Sequence, residues 1–168
     1  ILEWGNVCQR PVCIFYGRDI TRSGEDAYRP LTDITPLKDV PFLMYRSRGA
    51  EELILVEGLF DALLIDQIAL KPVVATGKGG LSRGMLDTIA SCGTKKCILA
   101  YGAGEMQKKA TIDAAELIQS RGLGVAVLPI EEKYSDMDEF IRSTSLSQYK
   151  KLLIRAQGIQ DWKEKNLP

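Results

Sequence analysis

From Glu51 to Leu128 the chain alternates between four short apolar runs and three helix-length segments, and no other feature limits its possible folds so strongly. The runs are ELILV at 52–56, PVVA at 72–75, KCILAY at 96–101 and GVAVL at 124–128. Between them the pattern predicts helices over about 59–70, 82–92 and 107–121. That order predicts an α/β fold of about four mainly parallel strands with helices packed on both faces. Phe60, Leu64 and Ile68 recur at helical spacing and are expected to form the buried face of the first helix. Gly93 and Gly122 stand where helix C-caps belong, and Ser135 to Asp138 and Ser145 to Gln148 each have the spacing of a capping box opening a further short helix.

The flanks read differently. PVCIFYGRDI, from Pro11, predicts a strand ending in a turn, and the proline-punctuated YRPLTDITPLKDVPFL, from Tyr28, predicts an irregular lead into the α/β unit. Residues 1–48 are therefore expected to close a preceding subdomain, 49–142 to form the α/β domain, and 143–168 to be a C-terminal helix and tail. The last dozen residues are expected as a helix end and a tail. No internal repeat or low-complexity segment interrupts this order.

Twenty-two basic and twenty-two acidic residues cancel. No overall field points to nucleic acid, although a basic patch opposite an acidic cluster would cancel in the same way. No apolar run approaches the roughly 20 residues needed to span a bilayer, and the N-terminus lacks a signal-like core, so a cytoplasmic protein is expected. The opening Ile and the absence of histidine suggest a piece of a longer chain. The four cysteines form two C-x4-C pairs, Cys8 with Cys13 and Cys92 with Cys97. That spacing matches zinc ribbons only loosely, since these favour C-x2-C, and no histidine is there to help. The plainer expectation is four reduced thiols, with Cys13 and Cys97 as small core residues of strands.

The candidate chemistry gathers where an open α/β sheet binds ligands, at the carboxyl ends of its strands. The first strand ends in VEGLFD, with Glu57 at its tip, Gly58 in the turn and Asp61 in the first turn of the next helix. SDMDEF, after the fourth strand, puts Asp136 and Asp138 at the start of another helix. Taken singly, Asp61 reads as a helix-dipole partner, Glu57 as a solvated loop acid, and Asp136 and Asp138 as caps. ATGKGGLSRG lacks the P-loop spacing, so Ser82 is expected to cap a helix, with Lys78 and Arg83 as possible phosphate contacts. Lys108 and Lys109 open a helix against the dipole preference and are read as solvated surface.

The order of VEGLFD, three further β units and DMDEF resembles the toprim domain of bacterial DnaG-type primases, topoisomerases and some nucleases and recombination proteins. The resemblance runs over roughly 50–142. It implies the toprim fold, with acids clustered at one sheet edge to hold Mg²⁺ or Mn²⁺ for phosphoryl transfer. Glu57 would be the catalytic acid supported by Asp61, and Glu57, Asp136 and Asp138 the metal ligands. VCIFYGRDI is similar to a primase strand through Arg18, and PLKDVPFLMY to a lysine-bearing primase segment through Lys38. With Lys78, these would form the nucleic-acid or nucleotide face, for single-stranded DNA and NTPs. A lysine usual in primases is replaced by Ala27. A replicative helicase is an implied partner, through regions outside this chain.

The toprim pattern also ends its third strand in Asp-x-Asp. Laid on YGAGEM, that motif puts Gly102 and Gly104 where its two aspartates belong, and Glu105 lies one residue too far to stand in for the second. The resemblance therefore implies primer synthesis for an intact relative, and weak metal binding without activity for this chain. The alternatives are a degenerate toprim used as a non-catalytic nucleic-acid-binding or assembly module, and a toprim nuclease or recombination protein.

Overall fold

The computed structural model describes residues 2–5, 11–14, 16–18, 20–21, 28–30, 39–68, 70–134 and 136–166. Lys38, Cys8, Ala27 and Ser135 lie outside the described residues. The N-terminal part contributes two antiparallel ladders. In one, β1 (Leu2–Gly5) pairs with β2 (Pro11–Ile14), and in the other β3 (Tyr16–Arg18) pairs with β4 (Tyr28–Pro30). The single strand expected from Pro11 is thus two short strands in different ladders, with Cys13 in β2 and Arg18 opposite Tyr28 in β3.

The remaining strands, β5 (Glu52–Val56), β6 (Val73–Ala75), β7 (Lys96–Leu99), β8 (Gly124–Val127) and β9 (Gln157–Gly158), form one sheet in the order β6-β5-β7-β8-β9. The first four run parallel, as the alternation predicts. The fifth was not foreseen: β9 pairs antiparallel with β8, Val127 opposite Gln157, and two residues are too short to leave a periodic signal.

β5 is buried from Leu53 to Val56, as a strand covered on both faces must be, and its side chains alternate between two cores. Ile54 and Val56 join Val73, Ala75, Ile98 and Ala100 under α1 (Leu59–Ile68), α4 (Met137–Ser143) and α5 (Leu146–Ile154). Leu53 and Leu55 join Val74, Cys97 and Leu99 under α2 (Arg83–Ser91), α3 (Glu105–Ser120) and α6 (Ile159–Asn166). Cys97 is a free buried thiol, and burial pushes its pKa up to about 12; Cys92 is half-buried. No helix among the described residues is long and apolar enough to cross a membrane.

Several local expectations hold. Ser82 accepts from the Met85 N–H at 3.0 Å, Ser145 and Gln148 form a complete capping box, and Gly93 and Gly122 follow their helices at φ of 94° and 79°. Others need correction. α1 buries Ala62 and Ile65 and leaves Phe60 48% exposed, because the helix is apolar almost all round and periodicity alone cannot choose its inner face. The N-cap of α4 is Asp136, whose side chain accepts from the Glu139 N–H at 2.8 Å. The C-terminal dozen, expected as a helix end and a tail, supplies β9 and α6 and buries Ile159 and Trp162.

Candidate functional site

The strand order explains where a site forms. From β5 the chain crosses through α1 to β6 on one side, and from β7 it crosses through α3 to β8 on the other. A crevice opens between neighbouring strands whose connections leave in opposite directions. β5 and β7 are that pair. Their carboxyl ends, with the starts of α3 and α4, enclose a cleft of about 200 Å³ lined by Glu57, Gly58, Asp61, Tyr101, Gly102, Gln107 and Asp136, among others. Glu57, Gly102 and Asp136, 79 residues apart at the extremes of the sequence, meet there.

Each acid is held differently. Asp61 is only 9% exposed, and its Oδ1 accepts the Asp138 N–H at 2.7 Å. Burial raises its pKa from 3.8 to about 6; the Asp138 N–H pulls it down, the charges of Asp136 and Asp138 push it up, and the Gly58 N–H pulls it down. Asp136 caps α4 while lining the cleft. Asp138 is engaged elsewhere, with both carboxylate oxygens on Arg142 Nε at 2.9 and 2.8 Å. Glu57 lines this cleft and also a second recess, with Lys78, Gly79, Gly80, Leu81, Tyr101 and Asp113. Lys78 thus stands on the far side of Glu57, whereas Arg83 lines a groove between α2 and α3 that shares no residue with either.

Glu105 points to solvent, its side chain 89% exposed, and Lys108 Nζ bridges Glu105 and Glu132 at 3.0 and 3.1 Å. The cleft floor includes residues the sequence did not single out. Tyr101 is 3% exposed, its hydroxyl 3.2 Å from Thr76 Oγ1, and burial raises its pKa. Gln107 enters because α3 starts at Glu105, a turn boundary two residues earlier than periodicity suggests. Tyr101 was visible only as the last apolar residue before Gly102.

The residues present do not fit a resident pair of metal ions. Gly102 and Gly104 offer no side-chain oxygen, Asp138 is paired with Arg142, and two backbone N–H groups occupy Asp61. Among the described residues no group of three or more acids or cysteines is gathered closely enough to hold an ion.

Asp61 makes the stability of this edge pH-dependent. The folded protein binds its proton more tightly than the unfolded chain does, so its contribution favours folding below the unfolded pKa and is lost as pH rises through about 6. A rise of about two units corresponds to about 3 kcal/mol. Relative to the Asp61→Asn variant, the parent is expected to lose on the order of that amount of unfolding free energy between about pH 4 and about pH 7. Urea titrations across that range measure it, and parallel profiles would show that the carboxylate is not buried as described.

The fold has close counterparts. The chain superposes on the zinc-binding and RNA polymerase domains of the Aquifex aeolicus primase with a TM-score of 0.76 and 25% identity, covering 92% of this chain and 40% of that one. It superposes on the E. coli primase catalytic core with a TM-score of 0.76 and 17% identity (98% and 54% covered), and on a Pseudomonas aeruginosa primase domain with a TM-score of 0.73 and 20% identity (90% and 50% covered). The chain therefore spans about half the length of these solved chains, or less. No curated protein sequence matches it. The family model described as Toprim-like matches residues 54–141, more than half of the chain, from within β5 to within α4 and including every residue that lines the cleft. By that match, the chain belongs to the Toprim-like family, in the fold shared by DnaG-type primase catalytic cores.

Proposed function

We propose that this chain is the toprim part of a DnaG-like primase in which the divalent-metal centre has been lost, so that it holds single-stranded nucleic acid without itself transferring nucleotides. The observation that carries this reading is the meeting of Glu57, Gly102 and Asp136 in the switch-point cleft of a primase-like fold. Divalent metals serve the family in general, and two-metal phosphoryl transfer needs ions on both sides of the reacting phosphate. In this reading Gly102 and Gly104 stand in place of the carboxylates that would bring them.

The neighbouring solved structures include a DnaG primase catalytic domain bound to single-stranded DNA and bacteriophage T7 primase domains bound to an RNA/DNA hybrid and dTTP. Carried to this chain, that points to single-stranded nucleic acid, with Arg18, Lys38 and Lys78 as its candidate contacts. Binding is then electrostatic and indifferent to sequence. Fluorescence anisotropy with a labelled single-stranded DNA should show affinity that falls steeply with salt. Arg18→Ala combined with Lys38→Ala should flatten the log–log salt slope by about 1.4, two phosphate contacts on a single strand. Primer-synthesis assays with NTPs and Mg²⁺ or Mn²⁺ should give no product. A double variant that binds as the parent does would remove these two residues from the interface, and primer synthesis by the parent would overturn the loss of the centre.

A further inference from the structure

The aspartate of VEGLFD faces the cleft from α1, yet its oxygens are used by backbone. Asp61 is the third residue of α1, and the N–H of Gly58, the residue before the helix, donates back to it. This is the return arm of a capping box, in which an acid at the third helical position satisfies the cap residue's N–H. The same carboxylate reaches 77 residues along the chain to accept the N–H of Asp138, in the first turn of α4, at 2.7 Å. The first N–H groups of any helix lack partners within it. Here one side chain answers for two helices.

The approach is close enough to dictate a neighbour. A Cβ on residue 58 would stand 2.4 Å from Asp61 Oδ2 and 3.2 Å from its Cγ, so the glycine after Glu57 is needed for the carboxylate to lie where it does. Below this polar contact, Ala62 and Ile65 of α1 and Met137 and Phe140 of α4 share one core cluster. The two helices therefore meet through an apolar body and a polar tip. Asp136, two residues before the bonded amide, moves with it.

We propose that Asp61 is a positioning residue: its carboxylate locks the acid-bearing start of α4 to the β5–α1 turn and so sets where Asp136 stands relative to Glu57, without itself holding a ligand. This rests on the reading of the cleft as a former metal centre. A side chain that orients metal-binding groups from behind is worth about 10–100-fold in metal affinity.

The test uses two readouts on the 168-residue chain. In amide exchange followed by NMR, Asp61→Ala is expected to cut protection of the Asp138 N–H by at least about tenfold, the loss of a bond to a charged acceptor, while Leu55 and Leu99 amides in the sheet keep theirs. Asp61→Asn retains an acceptor and should keep Asp138 protected. If the alanine variant does not fold, Asp61→Leu, close in size and without an acceptor, replaces it, and the same selective loss is expected. Undiminished Asp138 protection in the alanine or leucine variant would overturn the proposal. The second readout is Mn²⁺ titration in a Gly102→Asp/Gly104→Asp background, where Asp61→Ala should weaken binding by about 10–100-fold and Asp61→Asn should restore most of it. An asparagine variant that protects Asp138 yet binds Mn²⁺ as poorly as the alanine variant would make Asp61 a ligand and overturn the proposal. If the two-aspartate background binds no Mn²⁺, the reading of the cleft fails, and amide exchange alone decides the role of Asp61.

Discussion

Changing Gly102 and Gly104 together to aspartate is expected to make the chain bind Mn²⁺ at least about tenfold more tightly than the parent, because affinity for hard cations follows the number and charge of oxygen ligands. The backbone is ready for it. Neither glycine has a positive φ, and Gly104, at φ −67° and ψ 163°, is the N-cap of α3, a position where aspartate is among the favoured residues. A Cβ there would come within 2.7 Å of Gln107 Oε1, the far end of a flexible side chain that can swing aside. Two more carboxylates beside Glu57, Asp61 and Asp136 would repel them, so the variant should melt below the parent in chelator and recover when Mn²⁺ binds only the folded form. Adding Glu57→Ala should abolish the gain. Calorimetric titration of the parent, the pair and the triple variant decides it, and equal binding by parent and pair would mean that this turn is no remnant of a metal centre.

Trp162→Ala is expected to cost about 3–5 kcal/mol, the range for removing a large buried aromatic side chain. Trp162 is 5% exposed and lies with Ile159, Ala114, Ala115, Ile118 and Val127 in the core on the α3 side of the sheet. The Lys163–Glu116 contact at 3.5 Å beside it is largely solvated and adds little. Urea unfolding measures the difference. A loss under about 1 kcal/mol would mark α6 as a detachable tail, since surface positions away from structural features rarely exceed half that.

What could be read from the sequence follows the strength of each physical signal. β5 to β8 were legible because four apolar runs are separated by helix-length segments. The convergence of Glu57, Gly102 and Asp136 then follows from the rule that ligands sit at strand ends. The inner face of α1 was legible only in part, since Phe60, Leu64 and Ile68 form as good a stripe as Ala62 and Ile65, yet of those three only Ile68 packs against the core. β9 was too short to show a period. The double use of Asp61 was hidden because it depends on an amide 77 residues away that local spacing does not reveal. Asp136 and Asp138 illustrate a subtler limit: both are helix-start acids as the simpler reading has it, one capping α4 and the other paired with Arg142, and only Asp136 also lines the cleft.

The segment before the sheet has an effect beyond joining two parts of the chain. Phe42 exchanges two backbone hydrogen bonds with Ala75, at 3.0 and 3.2 Å, along the outer side of β6. Asp39 is pinned at the start of α2, accepting from Ser82 Oγ at 3.2 Å and, through its carbonyl, from Thr88 Oγ1 at 2.9 Å, against Gly84, where any Cβ would collide with it. Unpaired strand edges are templates on which other chains can add. On one flank of the sheet Ala75 is paired by the molecule's own backbone, and on the other the edge is only two residues long, in β9. Another chain is thereby left little backbone on which to add a strand, and loosening the Asp39 anchor is expected to open the Ala75 side even with the cleft intact.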